Sequence, residues 1–449
     1  MPSPQSNALS STEQLLPDDL IVEILVFLDV QTLLPLKCLS KSLHSLISDP
    51  KFIKKHLKNS SQYTHLILTD ELYDYSMSNV KTLPVRRLLE NRSFNSSGDS
   101  CRGCTDSNDM EVIGSCNGLL CLLYKRWHWT FNLRYWFYIW NPATGTSSPT
   151  FGTRYDSLLH ESLSNVSSFS FGCDILTGTY KVLEFRIEQD KDNHVPLRSQ
   201  VSVLNLDADN CWRNINNFPL ILGNSVVHLS GTVYSLAIQN YFNRCYDYET
   251  ITHVDHFVII SLDLSTETTI QLLLPSKFDE VPCFQPTLQV LSDHICFSHD
   301  FKKTEFVIWK MNEFGVQESW TQLFRIGYFN LEMHNLPMDD YLNTTLLMPL
   351  SLSRNEDTLI LLFPLTRTKV GDRWIYYYYG DNEAIIYDHK ENRAQRISTD
   401  DNPCRFSYVE SLVSTSRHWK SVSPSPSTLE TIDVTWKYMV ENRGIPARG

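Results

Sequence analysis

The spacing Cys101-x-x-Cys104, with Cys116 and Cys121 following, is the stretch of this chain that most resembles a metal site. Four thiolates at such intervals suit tetrahedral zinc. The two halves differ, however. Cys101 and Cys104 sit in the run Arg92 to Met110, whose Ser, Asn and Asp residues read as loop. Cys116 and Cys121 belong to "GSCNGLLC", which reads as strand with both thiols turned into the core. A loop with two free thiols is the expectation and zinc the alternative. No cofactor and no catalytic residue is expected. A Gly-rich phosphate loop, G-x-S-x-G, H-E-x-x-H and an EF-hand loop are all absent, and the 14 His are scattered.

The remaining chemistry is recognition. "RWHWTFNLR" (Arg126 to Arg134) and "RTKVGDRWIYYYYG" (Arg367 to Gly380) mix Arg with Trp and Tyr. These types anchor protein interfaces, because they combine area with a polar tip. Arg126, Trp127, Trp129, Arg134, Arg373 and Trp374 are therefore the candidates for holding a protein target. Glu188 to Arg198 and Gln239 to His253 are further candidate loops.

Composition bounds what these residues can serve. A length of 449 residues allows about two to three domains. The formal net charge of −12 argues against a general nucleic-acid binder, which needs a basic face. The best basic stretch, "KFIKKHLK" from Lys51, reads as a solvated helix face. No apolar run is long enough to span a bilayer. The start "MPSPQSNALSSTEQ" lacks a charged-then-apolar signal, so cytoplasm or nucleus is expected, with the 11 Cys reduced.

Two kinds of element must position the recognition residues. The first is helical. Pro17 suits a first helical position, and Asp18 and Asp19 favour the positive end of the helix dipole. Leu20, Ile21, Ile24, Leu25 and Leu28 follow as one stripe. Asp29, an acid at a helix end, closes it poorly. A second run, Leu33 to Leu39, places Pro35 near its first turn. Ser40 caps a third helix, and Asp49-Pro50 a fourth. So small a unit has more apolar side chains than it can hide, which marks a partner site.

The second element is β-structure, from Glu111 to about Val413. One pattern recurs: an apolar strand, then Asn or Asp, a turn, and a second strand. "FYIWNPATGTSSP", "VSVLNLDADNCWRNI", "VIISLDLSTETTIQLLLP", "FVIWKMNEFGVQESWTQLF" and "AIIYDHKENRAQRI" carry it. Hairpins recurring at intervals of about 50 residues suggest propeller blades. Trp140, Trp212, Trp309 and Trp320 read as packing between blades. Beyond Val413 the chain turns polar, and Ser427 to Glu430 could cap a short terminal helix.

The stretch "LPDDLIVEILVFLDVQTLLPLKCLSKSLHSLISDPKFIKKHL" resembles an F-box, with Leu16-Pro17, "EIL" at Glu23 and "SLISDPKF" at Ser45 in register. "GSCNGLLCL", "WNPATG", "FSFGCDILTGTYKVL", "ESW" and "YVESLVS" together resemble the F-box-associated domain of plant-type F-box proteins, including the S-locus F-box group. That family is often labelled kelch-repeat, but this chain has no Gly-Gly and no Trp-Asp pair.

The resemblance implies a mainly β chain with a small α N-terminal domain, a three-to-four-helix F-box before a β-propeller-like domain. The boundaries expected are a disordered start at 1–12, the F-box at 13–58, a linker with a Ser/Asn/Asp-rich loop at 59–110, the β domain at 111–415 and a polar tail at 416–449. It also implies partners: a Skp-type adaptor, a cullin through that adaptor, and a protein target, with no nucleic acid or membrane. By match to the motif, Leu16, Pro17, Leu20, Ile24, Leu25, Leu28 and Leu34 would face the adaptor. The function implied is substrate recognition in a ubiquitin ligase. The alternatives are a Skp-binding protein outside a ligase, and a propeller enzyme or sugar-binding protein with a helical cap.

Overall fold

A computed structural model describes residues 17–60, 64–69, 80–91, 109–128, 132–157, 163–190, 196–206, 211–215, 226–239, 246, 248–331, 333, 347–353, 355–362, 366–370, 373–377, 383–398 and 402–415. Four short helices come first: α1 (Asp18–Leu25), α2 (Val30–Leu36), α3 (Lys41–Ser48) and α4 (Pro50–Asn59). Side-chain caps set the starts of α2, α3 and α4. Ser40 Oγ accepts from Leu43 N at 3.1 Å, and Asp49 Oδ1 accepts from Lys51 N at 2.6 Å, as the sequence led one to expect.

Two expectations fail here. Asp29 does not close α1 badly; it opens α2, its Oδ1 accepting from Thr32 N at 2.7 Å. An acid is favourable at that end. Helix α2 consequently starts at Val30, and Pro35 lies in its last turn rather than its first.

Among the described residues the strands then form seven sheets, six larger ones and a separate two-stranded hairpin. β1 (Thr64–Thr69) pairs with β2 (Val80–Pro84), and α5 (Val85–Asn91) follows. The next sheet holds β3 (Asp109–Cys116), β4 (Leu119–His128), β5 (Asn132–Asn141) and β6 (Thr146–Ser147), with β7 (Phe151–Ser157) also on β5. The third has β8 (Leu163–Cys173), β9 (Tyr180–Asp190), β10 (Pro196–Asn205) and β11 (Trp212–Ile215). The fourth has β12 (Val226–Leu229), β13 (Thr232–Ile238), β14 (Phe257–Asp263) and β15 (Thr269–Leu272). The fifth has β16 (Thr287–Leu291), β17 (His294–Phe301), β18 (Glu305–Met311) and β19 (Trp320–Gly327). In the sixth, β20 (Met348–Leu352) and β21 (Thr358–Leu362) precede a hairpin of β22 (Thr366–Val370) and β23 (Arg373–Tyr377), then β24 (Glu383–Asp388) and β25 (Arg393–Ser398). Finally β26 (Asn402–Val409) returns to pair with β1.

This is a six-bladed propeller. The innermost strands β26, β3, β8, β12, β16 and β20 adjoin one another in a closed ring. The closing blade joins both halves of the chain, so β1 and β2 stand inside the segment 59–110 expected to be linker. The linker expectation failed because a blade split between distant segments shows no complete hairpin repeat. An apolar cluster fills each gap between blades. Leu119, Cys121 and Phe171 pack in the second–third gap, and Leu183, Val203 and Leu262 in the third–fourth. Strands covered on both faces need apolar residues at successive positions, hence the unbroken buried run Leu119 to Tyr124.

The recurring sequence pattern is the turn from third to fourth strand. Asn141 Oδ1 accepts from Ala143 N at 3.0 Å, Asp263 Oδ1 from Ser265 N at 2.8 Å, and Asp388 Oδ1 from Lys390 N at 2.9 Å. A short acceptor side chain that mimics the turn's own backbone explains Asn or Asp there. Trp140, Trp309 and Trp320 are buried, and Trp212 is half-buried against the second–third cluster, as their packing role required. The tail 416–449, the start 1–16 and the pair Cys101 and Cys104 lie outside the described residues.

Candidate functional site

Alternating strand direction splits the propeller's turns between two faces. First-to-second and third-to-fourth turns share one face; second-to-third connections take the other. The helical domain sits on the first. Its core, Leu25, Val26, Val30, Leu33, Ile47 and Phe52, continues into Ala143 and Leu412 of the propeller. Polar contacts fix the seat. Gln31 Nε2 donates to Ala143 O at 3.1 Å, and Val30 N donates to Glu410 Oε2 at 3.3 Å. Asn141 Nδ2 donates to Ser411 O at 3.0 Å and Val413 O at 2.8 Å. "WNPATG" and "YVESLVS" thus form the socket for the helices. Gly118 serves it too: at φ +75° it lies so close to Ser411 and the Val409 carbonyl that no side chain fits.

Glu410 is a charged group in a poorly solvated place. Burial pushes its carboxyl up to about 7, the Asp29 charge adds to this, and the Val30 N–H opposes it. His65 Nε2 lies 3.3 Å from Oε1. Nearby, His56 is buried with Nε2 2.8 Å from Leu28 O, and desolvation lowers its basicity.

The face of the helical domain turned away from the propeller carries the open apolar stripe. Leu20 is 50% exposed, Ile24 58% and Phe27 59%. Pro17 is exposed beside them, and Leu39 is 71% exposed. Of the residues expected to face an adaptor, Pro17, Leu20 and Ile24 are outward. Leu25 is not: it is 7% exposed and belongs to the domain's own core, because it lies on the opposite side of the short α1. Leu28 and Leu34 are half-buried against that core, and Leu16 lies outside the described residues. Phe27 and Leu39 were missed. Phe27 was readable, three residues beyond Ile24 and seven beyond Leu20. Lys51, Lys54 and Lys58 are exposed on α4, a solvated face as expected.

The candidate target-binding loops all fall on the other face. The stretch 126–134 spans the β4–β5 connection, 188–198 the β9–β10 connection, 239–253 the β13–β14 connection, and 367–380 the β22–β23 hairpin set between β21 and β24. Each is second-to-third in its blade. Arg126 is exposed and Arg134 half-buried. Trp127 lies in β4, and Arg373 and Trp374 in β23, while Trp129 lies outside the described residues. Among the described residues no group of three His, Cys, Asp or Glu could hold a metal ion. Cys116 and Cys121 are buried, and burial pushes the Cys121 thiol well up. No described helix is long and apolar enough to cross a membrane.

Residues 14–55 match the F-box domain model, and residues 67–415 match that of the F-box associated beta propeller domain. An F-box protein of Arabidopsis thaliana is 28% identical over 342 residues, covering 71% of this chain and 70% of that one. An Arabidopsis F-box/WD-40 repeat-containing protein is 26% identical over 340 residues, covering 72% and 71%. An Arabidopsis F-box/kelch-repeat protein is 24% identical over 324 residues, covering 69% and 79%.

Proposed function

The chain belongs to the F-box-associated beta propeller family, with an F-box domain before the propeller, and on that premise we propose that it is the substrate-recognition subunit of a Skp–cullin–F-box ubiquitin ligase. The observation that carries this is the stripe of Leu20, Ile24 and Phe27, left open to solvent on a domain whose other side is already seated. Apolar side chains so grouped favour a partner surface. A Skp-type adaptor is that partner, and a cullin joins through it.

The chain itself performs no chemistry in this reading. Its part is geometric. The helices are fixed to the propeller by the Gln31–Ala143 and Val30–Glu410 bonds, so a target held by the opposite face stands at a set distance from the ligase. Holding the target there raises the effective concentration of its lysines near the ubiquitin-charged enzyme. A flexible joint would spread the target over a larger volume and lower that concentration.

Co-purification of the full chain with a Skp-type adaptor tests the reading. Wild type should retain the adaptor, and Leu20→Asp or Ile24→Asp should lose it. Equal recovery of the folded variants would overturn the docking surface. Recovery of the adaptor without any cullin would point instead to a role outside a ligase.

A further inference from the structure

We propose that the outer part of the second blade is an anion clamp, and that the target is held there through a carboxylate-bearing, acidic segment. This rests on the substrate-recognition reading above and names the chemistry of the recognised segment. Arg126 of β4 stands directly opposite Arg134 of β5, and Arg134 directly opposite Tyr155 of β7. Directly opposed residues of antiparallel strands share a face. The three side chains therefore form one row across the sheet. The Tyr124 and Trp136 rings, stacked at 5.7 Å, form the next row in.

Four features set this row apart. First, like charges placed opposite each other repel, so the pair is held against its own electrostatics. Second, neither arginine has a hydrogen-bond or ion-pair acceptor among the described residues, and the Arg134 Nε is buried without one. Elsewhere Arg154 bonds Glu184, Arg213 bonds Glu267 and Arg325 bonds Glu305 at 2.8 Å. Third, Arg134 is stacked 5.2 Å from the Trp136 ring centre and 5.7 Å from that of Tyr155. Aromatic faces on both sides fix the guanidinium plane, which preorganises its fork for a planar anion. Fourth, Tyr155 is 51% exposed, so the row is reachable.

Position agrees with use. The Leu120, Leu122 and Tyr124 stripe of β4 packs against the closing blade, and Arg126 is one step further out. β4 runs from the Asn117 turn on the helix-bearing face out to His128, so Arg126 lies near its far end. The row thus lies toward the propeller face away from the helices. A carboxylate accepts two parallel bonds from one guanidinium, and the neighbouring guanidinium adds a second charge. On a chain of net charge −12 an arginine pair with no acceptor among the described residues is a local exception, which favours an acidic segment over general polyanion binding.

Selection from a random dodecapeptide display library on the immobilised full chain tests this. The wild type should enrich Asp- and Glu-rich peptides, and Arg126→Gln with Arg134→Gln should cut that enrichment at least tenfold. Arg126→Gln alone should unfold no earlier than wild type, because it relieves the repulsion, yet still bind acidic peptides more weakly. No acidic enrichment, or enrichment untouched by the substitutions in folded protein, would overturn the clamp. A preference for phosphoserine peptides over Glu peptides of equal net charge would overturn the carboxylate assignment. Leu20→Asp should leave the enrichment intact. Adaptor binding measured on the same samples separates the two ideas: a chain that binds the adaptor but selects no acidic peptide refutes only the clamp.

Discussion

Replacing Leu20 by Asp places a charge in the middle of the open stripe, and its effect can be worked from exposure. Full burial of a Leu side chain is worth about 1.5–3 kcal/mol. Leu20 is 50% exposed, so docking has only half of that left to gain, about 0.8–1.5 kcal/mol. Leu20→Ala should therefore weaken adaptor binding by no more than about tenfold, at about 1.4 kcal/mol per factor of ten. Leu20→Asp does more, because the carboxylate must be desolvated against an apolar partner at a cost of several kcal/mol. A loss of about 3–5 kcal/mol, roughly two to four orders of magnitude in Kd, is expected. The folded chain should tolerate the change within about 0.5 kcal/mol, since the site faces water. Leu25→Asp differs: Leu25 is core, so it should lower the unfolding midpoint as well. Titration calorimetry with a purified Skp-type adaptor, beside chemical denaturation of each variant, reads both quantities. Refutation would be Leu20→Asp binding within threefold of wild type, or Leu20→Asp unfolding as readily as Leu25→Asp.

Two other perturbations probe the joint. Asn141→Ala removes both donations to Ser411 O and Val413 O, leaving buried carbonyls unpaired, at about 2–4 kcal/mol of stability; unchanged urea denaturation would contradict the socket role. Glu410, held at about 7 against an ordinary 4.5, is disfavoured when ionised, so its contribution is full below about pH 4.5 and is lost as pH rises through 7, by up to about 3 kcal/mol. Glu410→Gln keeps an acceptor for Val30 N and cannot ionise; thermal unfolding followed from about pH 5 to 8 should lose this component of the slope, and an unaltered slope would exclude Glu410 as its source.

The third and fourth helices were legible because Ser40 and Asp49 cap them, whereas Asp29, which reads as an ending, is a beginning and carries Pro35 into the last turn of α2. A single acid between two short helices has the same sequence signature either way. Five of the six blades announced themselves through the third-to-fourth turn pattern, and at three of them Asn141, Asp263 and Asp388 accept from the turn's own backbone. The closing blade did not, because its pairing of Leu66 with Ser407 spans nearly the whole chain and leaves no local trace. Leu25 was misassigned for a related reason. On an eight-residue helix the two sides are both apolar, and only the seat formed by Ala143 and Leu412 decides which side is covered. The grouping of the candidate loops on one face follows from strand direction, because each is a second-to-third connection. The Arg126–Arg134–Tyr155 row needed the register, which composition does not supply.

Amide hydrogen exchange of the full chain, with and without a saturating Skp-type adaptor, tests most directly whether the two faces divide the work. Protection should appear in the helical domain, strongest in the Leu20 to Phe27 segment, while the β4–β5 and β9–β10 hairpins exchange as before. Protection of those hairpins with none in α1 would contradict the account.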